Sequence, residues 1–192
     1  MTKKLKIVVA ITGASGSIYA KILIEKLTQL DGFIDLASLS VIASPTGEQV
    51  YKYETGDSIR NVKGINYYEN SDFNAAFASG SAGYDAMIII PCSMGTMGRI
   101  AQGVSDNLIT RAADVMLKER KTLILVCREM PYNLIHIKNM ELVTLAGGIV
   151  CPASPSFYSN PYSVEDLCNT VTYRVLQLIG VETNSFKWGT KI

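Results

Sequence analysis

The stretch from Leu5 to Leu27 constrains the fold more than any other part of the chain. Leu5, Ile7, Val8, Val9, Ala10 and Ile11 form a short, nearly unbroken apolar run. Its length and β-branching predict a strand buried on both faces. Thr12, Gly13, Ala14, Ser15, Gly16 and Ser17 follow, small residues that let the backbone turn tightly with its N–H groups uncovered. Ile18, Ile22, Leu23 and Leu27 then recur at helical spacing. A strand, a small-residue turn and a helix aim the N–H groups of a helix start beyond the sheet edge, where an anion such as phosphate fits. An ordinary βα turn, with glycine only for the bend, satisfies this stretch equally well. A dinucleotide fingerprint needs glycine where Ser15 and Ile18 stand, and the Gly-Lys-Ser/Thr of a P-loop is missing. A mononucleotide, with one phosphate to hold, stays open.

The rest of the chain alternates in the same way. Leu36 to Ala43 predicts a second strand ending at Ser44 and Pro45, with a helix from Thr46 to Tyr53. Ser44 stands where a dinucleotide-binding domain usually places an acid for a ribose hydroxyl. Asp57 to Tyr68 reads as a polar loop with a short edge strand, and Phe73 to Ser79 as a helical segment. Ala86 to Ile90 is a third buried strand running into Pro91, Cys92, Ser93, Met94, Gly95 and Thr96, a second hydroxyl-bearing turn. Helices over Thr96–Gln102 and Asp106–Arg120 follow, split by Gly103. Thr122 to Val126 is a fourth strand, ending in Cys127, Arg128 and Glu129. Pro131 suits the first turn of a helix reaching about Ala146, and Gly148 to Cys151 a fifth strand. After an irregular segment with Pro152, Pro155 and Pro161, Ser163 and Asp166 open a last helix with a buried stripe of Val164, Leu167, Val171, Val175 and Leu178. This order predicts an α/β fold, a doubly wound parallel sheet with helices on both faces, in a single domain over 1–180 with a tail over 181–192.

Composition narrows the partners. A formal net charge of +1 gives no electrostatic case for nucleic acid or membrane binding. Cys92, Cys127, Cys151 and Cys168 are far apart in sequence, and with His136 the sole histidine no metal set is expected. Without a signal-peptide pattern or an apolar stretch long enough to span a bilayer, a cytoplasmic location is expected. Only 18% of residues are charged, which suggests surface buried between subunits.

Ligands of doubly wound sheets sit beyond the carboxyl ends of the strands, which would gather Ser15, Ser44, Ser93, Thr96, Arg128 and Glu129 around one crevice. A charged pair directly after a buried strand is costly unless it faces such a crevice, so Arg128 and Glu129 are the sharpest signal. Arg111 and Lys118 share a helix face, which more often means a solvated face than a site. Arg174 reads by default as a snorkelling surface arginine, Glu54 as surface, and His136 as structural. Tyr158 either orients a ligand or packs within its proline-rich loop. Two hydroxyl-rich turns and several cations, with few gathered carboxylates, describe a mononucleotide beside a phosphorylated substrate.

GASGSIYA, PCSMGT, SDNLITRAADVMLKER, REMP and PSFYSNP, in this order from about Lys6 to Gly180, resemble the UbiX-type flavin prenyltransferases. The resemblance implies a flavodoxin-like (Rossmann-like) three-layer α/β/α fold and a homo-oligomer, a dodecamer of trimers. It also implies metal-independent transfer of a dimethylallyl group from dimethylallyl phosphate to N5 and C6 of reduced FMN. The prenylated FMN would pass to a UbiD-type decarboxylase. By the same resemblance Gly13, Ala14, Ser15, Ser44, Ser93, Met94, Gly95, Thr96 and Arg128 are expected on FMN. Lys118, Arg128, Tyr158 and Arg174 are expected on the donor phosphate. Glu129 would protonate the leaving phosphate, Ser15 and Glu54 would move a proton during ring closure, and Arg111 would support the site across a subunit boundary. Gly95 stands where many members carry lysine or asparagine, and Ala82 where many carry a bulky aromatic, which leaves dimethylallyl pyrophosphate or a longer donor open. The alternatives are an FMN-dependent cysteine decarboxylase of the phosphopantothenoylcysteine type, which would show Pro-x-Ser-Ala-Asn-Thr and an earlier histidine, and a non-catalytic flavin carrier.

Overall fold

A computed structural model describes residues 4–30, 34–186 and 189, with nothing said of the side chains at 36 and 37. Its elements run β1 (Leu5–Ile11), α1 (Ser17–Thr28), β2 (Ile34–Ala43), α2 (Pro45–Thr55), β3 (Asn66–Glu69), β4 (Ala86–Cys92), α3 (Met94–Ala101), α4 (Leu108–Lys118), β5 (Thr122–Cys127), α5 (Leu134–Leu145), β6 (Ile149–Val150) and α6 (Val164–Leu178). The strands form one parallel sheet in the order β3-β2-β1-β4-β5-β6. Without the short edge strand β3, the other strands follow the doubly wound order of flavodoxin. The order reverses between β1 and β4, which is where a crevice opens at the carboxyl edge.

Side-chain alternation divides the core between the two faces. Ile7, Val9, Ile11, Ile88, Ile90, Ile124 and Val126 point to one side, where they meet Leu23, Leu27 and Tyr51 from α1 and α2 and Val171 and Val175 from α6. Val8, Ala10, Met87, Ile89, Leu123 and Leu125 point to the other, against Met97, Ala112, Met116 and Val143 from α3, α4 and α5. The residues of β4 are all buried, so both faces of the central strands are covered as the apolar runs predict.

Local chemistry moves several predicted boundaries. Ser44 caps α2 by accepting from the Gly47 N–H, so the helix begins at Pro45, ahead of Thr46. Ser93 caps α3 in the same way, and that helix starts at Met94 rather than Thr96. The helix predicted from Pro131 begins only at Leu134, because Asn133 caps it by accepting from the His136 N–H. The predicted helix over Phe73 to Ser79 is a single 3₁₀ turn, Ala76–Ala78. Its Phe77 is fully buried edge-on to Tyr68 and Tyr84, which fixes the segment by ring packing where no helical period exists. The Ser163–Asp166 capping box of α6 forms as expected. Beyond Gly180 the chain folds back: Val181 is buried, and Gln177 donates to Thr183 and Ser185. The last predicted tail residues lie outside the described ones.

Candidate active site

The turns after β1 and β4 are fastened together by Thr12. Its hydroxyl donates to the Pro91 carbonyl at 2.8 Å and accepts from the Ser93 N–H at 2.8 Å. A buried hydroxyl with both partners fixes the relative height of the two turns at the switch point of the sheet.

A cavity of about 370 Å³ opens beside them. It is lined by Gly13, Ser44, Thr46, Asn70, Ser93, Thr96, Arg99, Asn107 and Ile109. The starts of α2, α3 and α4 converge here. Ser44, Ser93 and Asn107 cap them, and Asn70 adds a second cap by accepting from the Ile109 N–H at 3.1 Å. Helix starts carry partial positive charge, so the cavity favours an anion. Gly13 must lack a side chain here, because a Cβ would lie 2.6 Å from Thr46 Cγ2.

The first turn behaves differently. The N–H groups of Gly16 and Ser17, the expected phosphate cradle, donate to the Glu54 carboxylate at 2.9 and 2.7 Å. Of the two readings that turn left open, the N–H groups at the α1 start favour the one without a free anion site, because their anion is a side chain of the protein. Burial pushes the Glu54 carboxyl up, but hydrogen bonds from the Ser15 hydroxyl and the Ser17 and Gly16 N–H groups outweigh it and hold the group below its ordinary value. Arg128 reaches across from β5 and donates from Nε to the Ser15 carbonyl at 3.1 Å. Ser15, Glu54 and Arg128 therefore form one contact group at the edge of the crevice. Glu129 follows, half-buried, with its carboxylate accepting from the Met130 N–H.

Other expected residues fall elsewhere. The Met94 side chain is buried in the core, leaving only its backbone to a ligand. Arg174 and the loop from Cys151 to Tyr162 line a separate cavity of about 530 Å³, which shares no lining residue with the first. Asn169 also lines it, and its Oδ1 is buried without a partner. Tyr158 is exposed on the same loop. Lys118 ends α4, roughly 15 Å along the axis from the crevice end, and pairs with Glu119. A helix that begins at the crevice thus carries Lys118 to the opposite edge of the sheet. Arg111 donates to the Ala78 carbonyl and pairs with Asp114. His136 closes the α5 capping box, as the structural reading expects. Burial pushes the Cys92 and Cys127 thiols up, so neither is poised as a thiolate. Among the described residues no group of three or more His, Cys, Asp or Glu could hold a metal ion. Nor is any helix there long and apolar enough to cross a membrane.

Sequence reasoning missed Thr12 as the tie between the turns, and Thr46, Asn70, Arg99 and Asn107 as cavity residues. Asn107 was readable as a cap before an apolar run; Asn70 had no local signal.

Residues 1–175 match the family model described as Flavoprotein. The chain is 45% identical to the flavin prenyltransferase UbiX of Methanocaldococcus jannaschii over 189 residues, covering 97% of this chain and all of that one. The chain belongs to the UbiX flavin prenyltransferase family. Solved members have the same architecture. The crystal structure of AnUbiX (PadA1) in complex with FMN and dimethylallyl pyrophosphate superposes with a TM-score of 0.89 at 37% identity, covering 99% of this chain and 100% of that chain. A dodecameric FMN-dependent UbiX-like decarboxylase from Escherichia coli O157:H7 gives 0.91 at 35% identity, covering 97% and 100%.

Proposed function

We propose that this chain joins a dimethylallyl group from dimethylallyl phosphate to N5 and C6 of reduced FMN, making prenylated FMN for a UbiD-type decarboxylase. The observation that carries the reading is the Ser15–Glu54–Arg128 contact group beside a hydroxyl-lined cavity at three helix starts. Gly13, Ser44, Ser93 and Thr96 line that cavity, and it fits the phosphorylated end of a mononucleotide. Ala14, Ser15, Met94 and Gly95, on the same two turns, and Arg128, at the end of β5, would hold the rest. Reduced FMN supplies the nucleophilic nitrogen and carbon when bound.

The protein's own groups have separable tasks. Arg128 stabilises the phosphate that departs when the allylic C–O bond breaks, and Glu129 supplies its proton. Ser15 donates to Glu54, so a proton released at the ring can pass through the hydroxyl to a carboxylate kept ionised by its hydrogen bonds. Tyr158 and Arg174, with Arg128, would hold the donor phosphate from the loop beside the end of β5 and its cavity, and Lys118, at the far end of α4, would come from a neighbouring copy. A homo-oligomer, a dodecamer as in the E. coli relative, is supported by α5. That helix buries only Val143 yet exposes Leu134, Ile135, Ile137, Leu142 and Leu145, an apolar surface that a lone chain would leave in water. PCSMGT and the capping role of His136 disfavour a cysteine decarboxylase.

The test is anaerobic incubation of the purified protein with reduced FMN and dimethylallyl phosphate, followed by mass spectrometry of the extracted flavin. A flavin heavier by one five-carbon unit is expected. FMN recovered unchanged with this donor, with the pyrophosphate and with longer donors would leave the carrier reading.

A further inference from the structure

The cavity at the three helix starts has one charged lining residue, Arg99. It sits one turn along α3 from Gly95 and reaches back over it: Nη1 donates to the Gly95 carbonyl at 3.3 Å. Gly95 brings no side chain, and a Cβ placed there would come within 3.7 Å of Nη1. Contact at that distance is ordinary, so the reach of the guanidinium does not depend on the glycine. Nε lies 3.5 Å from Asp106 Oδ2, and both side chains are about half exposed, at 50% and 53%. An ion pair so exposed is weak and exchangeable. Among the described residues Nη2 has no acceptor, so the guanidinium keeps donors for a further anion.

We propose that Arg99 binds the phosphate of the flavin and makes this site select the phosphorylated flavin over riboflavin. The inference rests on the flavin reading above and adds the residue that sets its specificity. Helix starts and hydroxyls recognise a phosphate as partial charges. A guanidinium adds a full charge and planar paired donors, and a neutral ribityl hydroxyl gains little from either. Asp106 acts as the counter-ion that occupies Arg99 until the phosphate displaces it. Such a latch keeps a cation from standing unpaired at the cavity mouth.

Binding of oxidised FMN and of riboflavin, followed by quenching of flavin fluorescence, tests this without any turnover. Arg99→Ala is expected to weaken FMN roughly ten- to hundredfold, the loss of one charge-assisted contact, and to leave riboflavin unchanged. Arg99→Lys should restore part of the preference, and Asp106→Asn should tighten FMN severalfold by removing the competitor. Equal weakening of both flavins by Arg99→Ala would show that Arg99 merely supports α3 and would overturn the proposal. So would an unchanged preference for FMN. A wild-type protein that binds neither flavin would overturn the flavin reading itself, and this proposal with it.

Discussion

Two helix starts flank the switch point of the sheet, and they have been used in opposite ways. α1 follows β1 and α3 follows β4, on neighbouring parallel strands tied by Thr12. At α1 the capping position is Gly16, with a left-handed φ of 110° and no side chain to offer, and a carboxylate from α2 takes the N–H groups. At α3 the cap is local: Ser93 accepts from the Thr96 N–H, and the helix start remains open to a cavity. The α1 start already holds its anion and is set up to handle a proton, while the α3 start, with α2 and α4 beside it, is left for an anion from outside. A helix N-terminus becomes a ligand site only where the chain does not fill it first.

The largest break in this arrangement is expected from Gly47→Ala. The added Cβ would lie 2.5 Å from the Ile11 carbonyl oxygen and 3.0 Å from its carbon, backbone atoms that cannot swing aside. The start of α2 must move away from β1, taking Ser44 and Thr46 out of the cavity wall. Overpacking of this kind costs about 1–3 kcal/mol. Urea unfolding should show that loss, and flavin titration a coincident loss of binding; a variant that unfolds early yet binds FMN normally would separate α2 from the ligand side of the comparison.

Ser93→Ala removes less. It deletes one cap, worth about 1 kcal/mol, and a hydroxyl that also meets Thr96 Oγ1 at 3.1 Å. The midpoint of thermal unfolding should fall by a few degrees, roughly 2–4 °C per kcal/mol for a chain of this size. FMN affinity should fall as well, because Ser93 lines the cavity. Wild-type affinity in this variant would mean that the α3 start supports the cavity without touching what it holds.

Much of this was legible before any coordinates. The buried strands announced themselves as β-branched runs, and Ser163 with Asp166 as a helix start, because both signals are local. The pairing of Arg128 with the first turn followed from the rule that ligands gather at strand ends, although the partner, a carbonyl of Ser15, could not be read. Contacts between distant segments were illegible: Glu54 reaches the α1 start from 37 residues away, and Asn70 caps α4 from 39 away. Arg99 carried no signal, since an arginine after two glycines in a short helix looks like any surface cation. Lys118 is a related case. A matched helix locates a residue along the chain, but the end of the sheet to which that helix carries it appears only in three dimensions. α5 could be found but not understood, because its apolar residues are spread around the helix and give no face to assign, and in the structure Leu134, Ile135, Ile137, Leu142 and Leu145 are exposed.

Glu54→Gln is the smallest and most selective probe. The amide keeps the shape of the side chain but replaces one accepting oxygen with a donor, so the N–H groups of Gly16 and Ser17 lose part of their anion. Glu54 is exposed and solvent screens the contact, so the loss at neutral pH should be about 1 kcal/mol or less. The pH dependence identifies the cause. Folding lowers the carboxyl below its ordinary value, so its contribution is complete above the unfolded value and is lost as pH falls through the folded one. Wild type and variant, compared by urea midpoint from neutral pH into acid, should therefore converge as Glu54 is protonated. A gap that stayed constant across that range would mean that the charge contributes nothing at the α1 start, and the contrast between the two helix starts would reduce to one of shape.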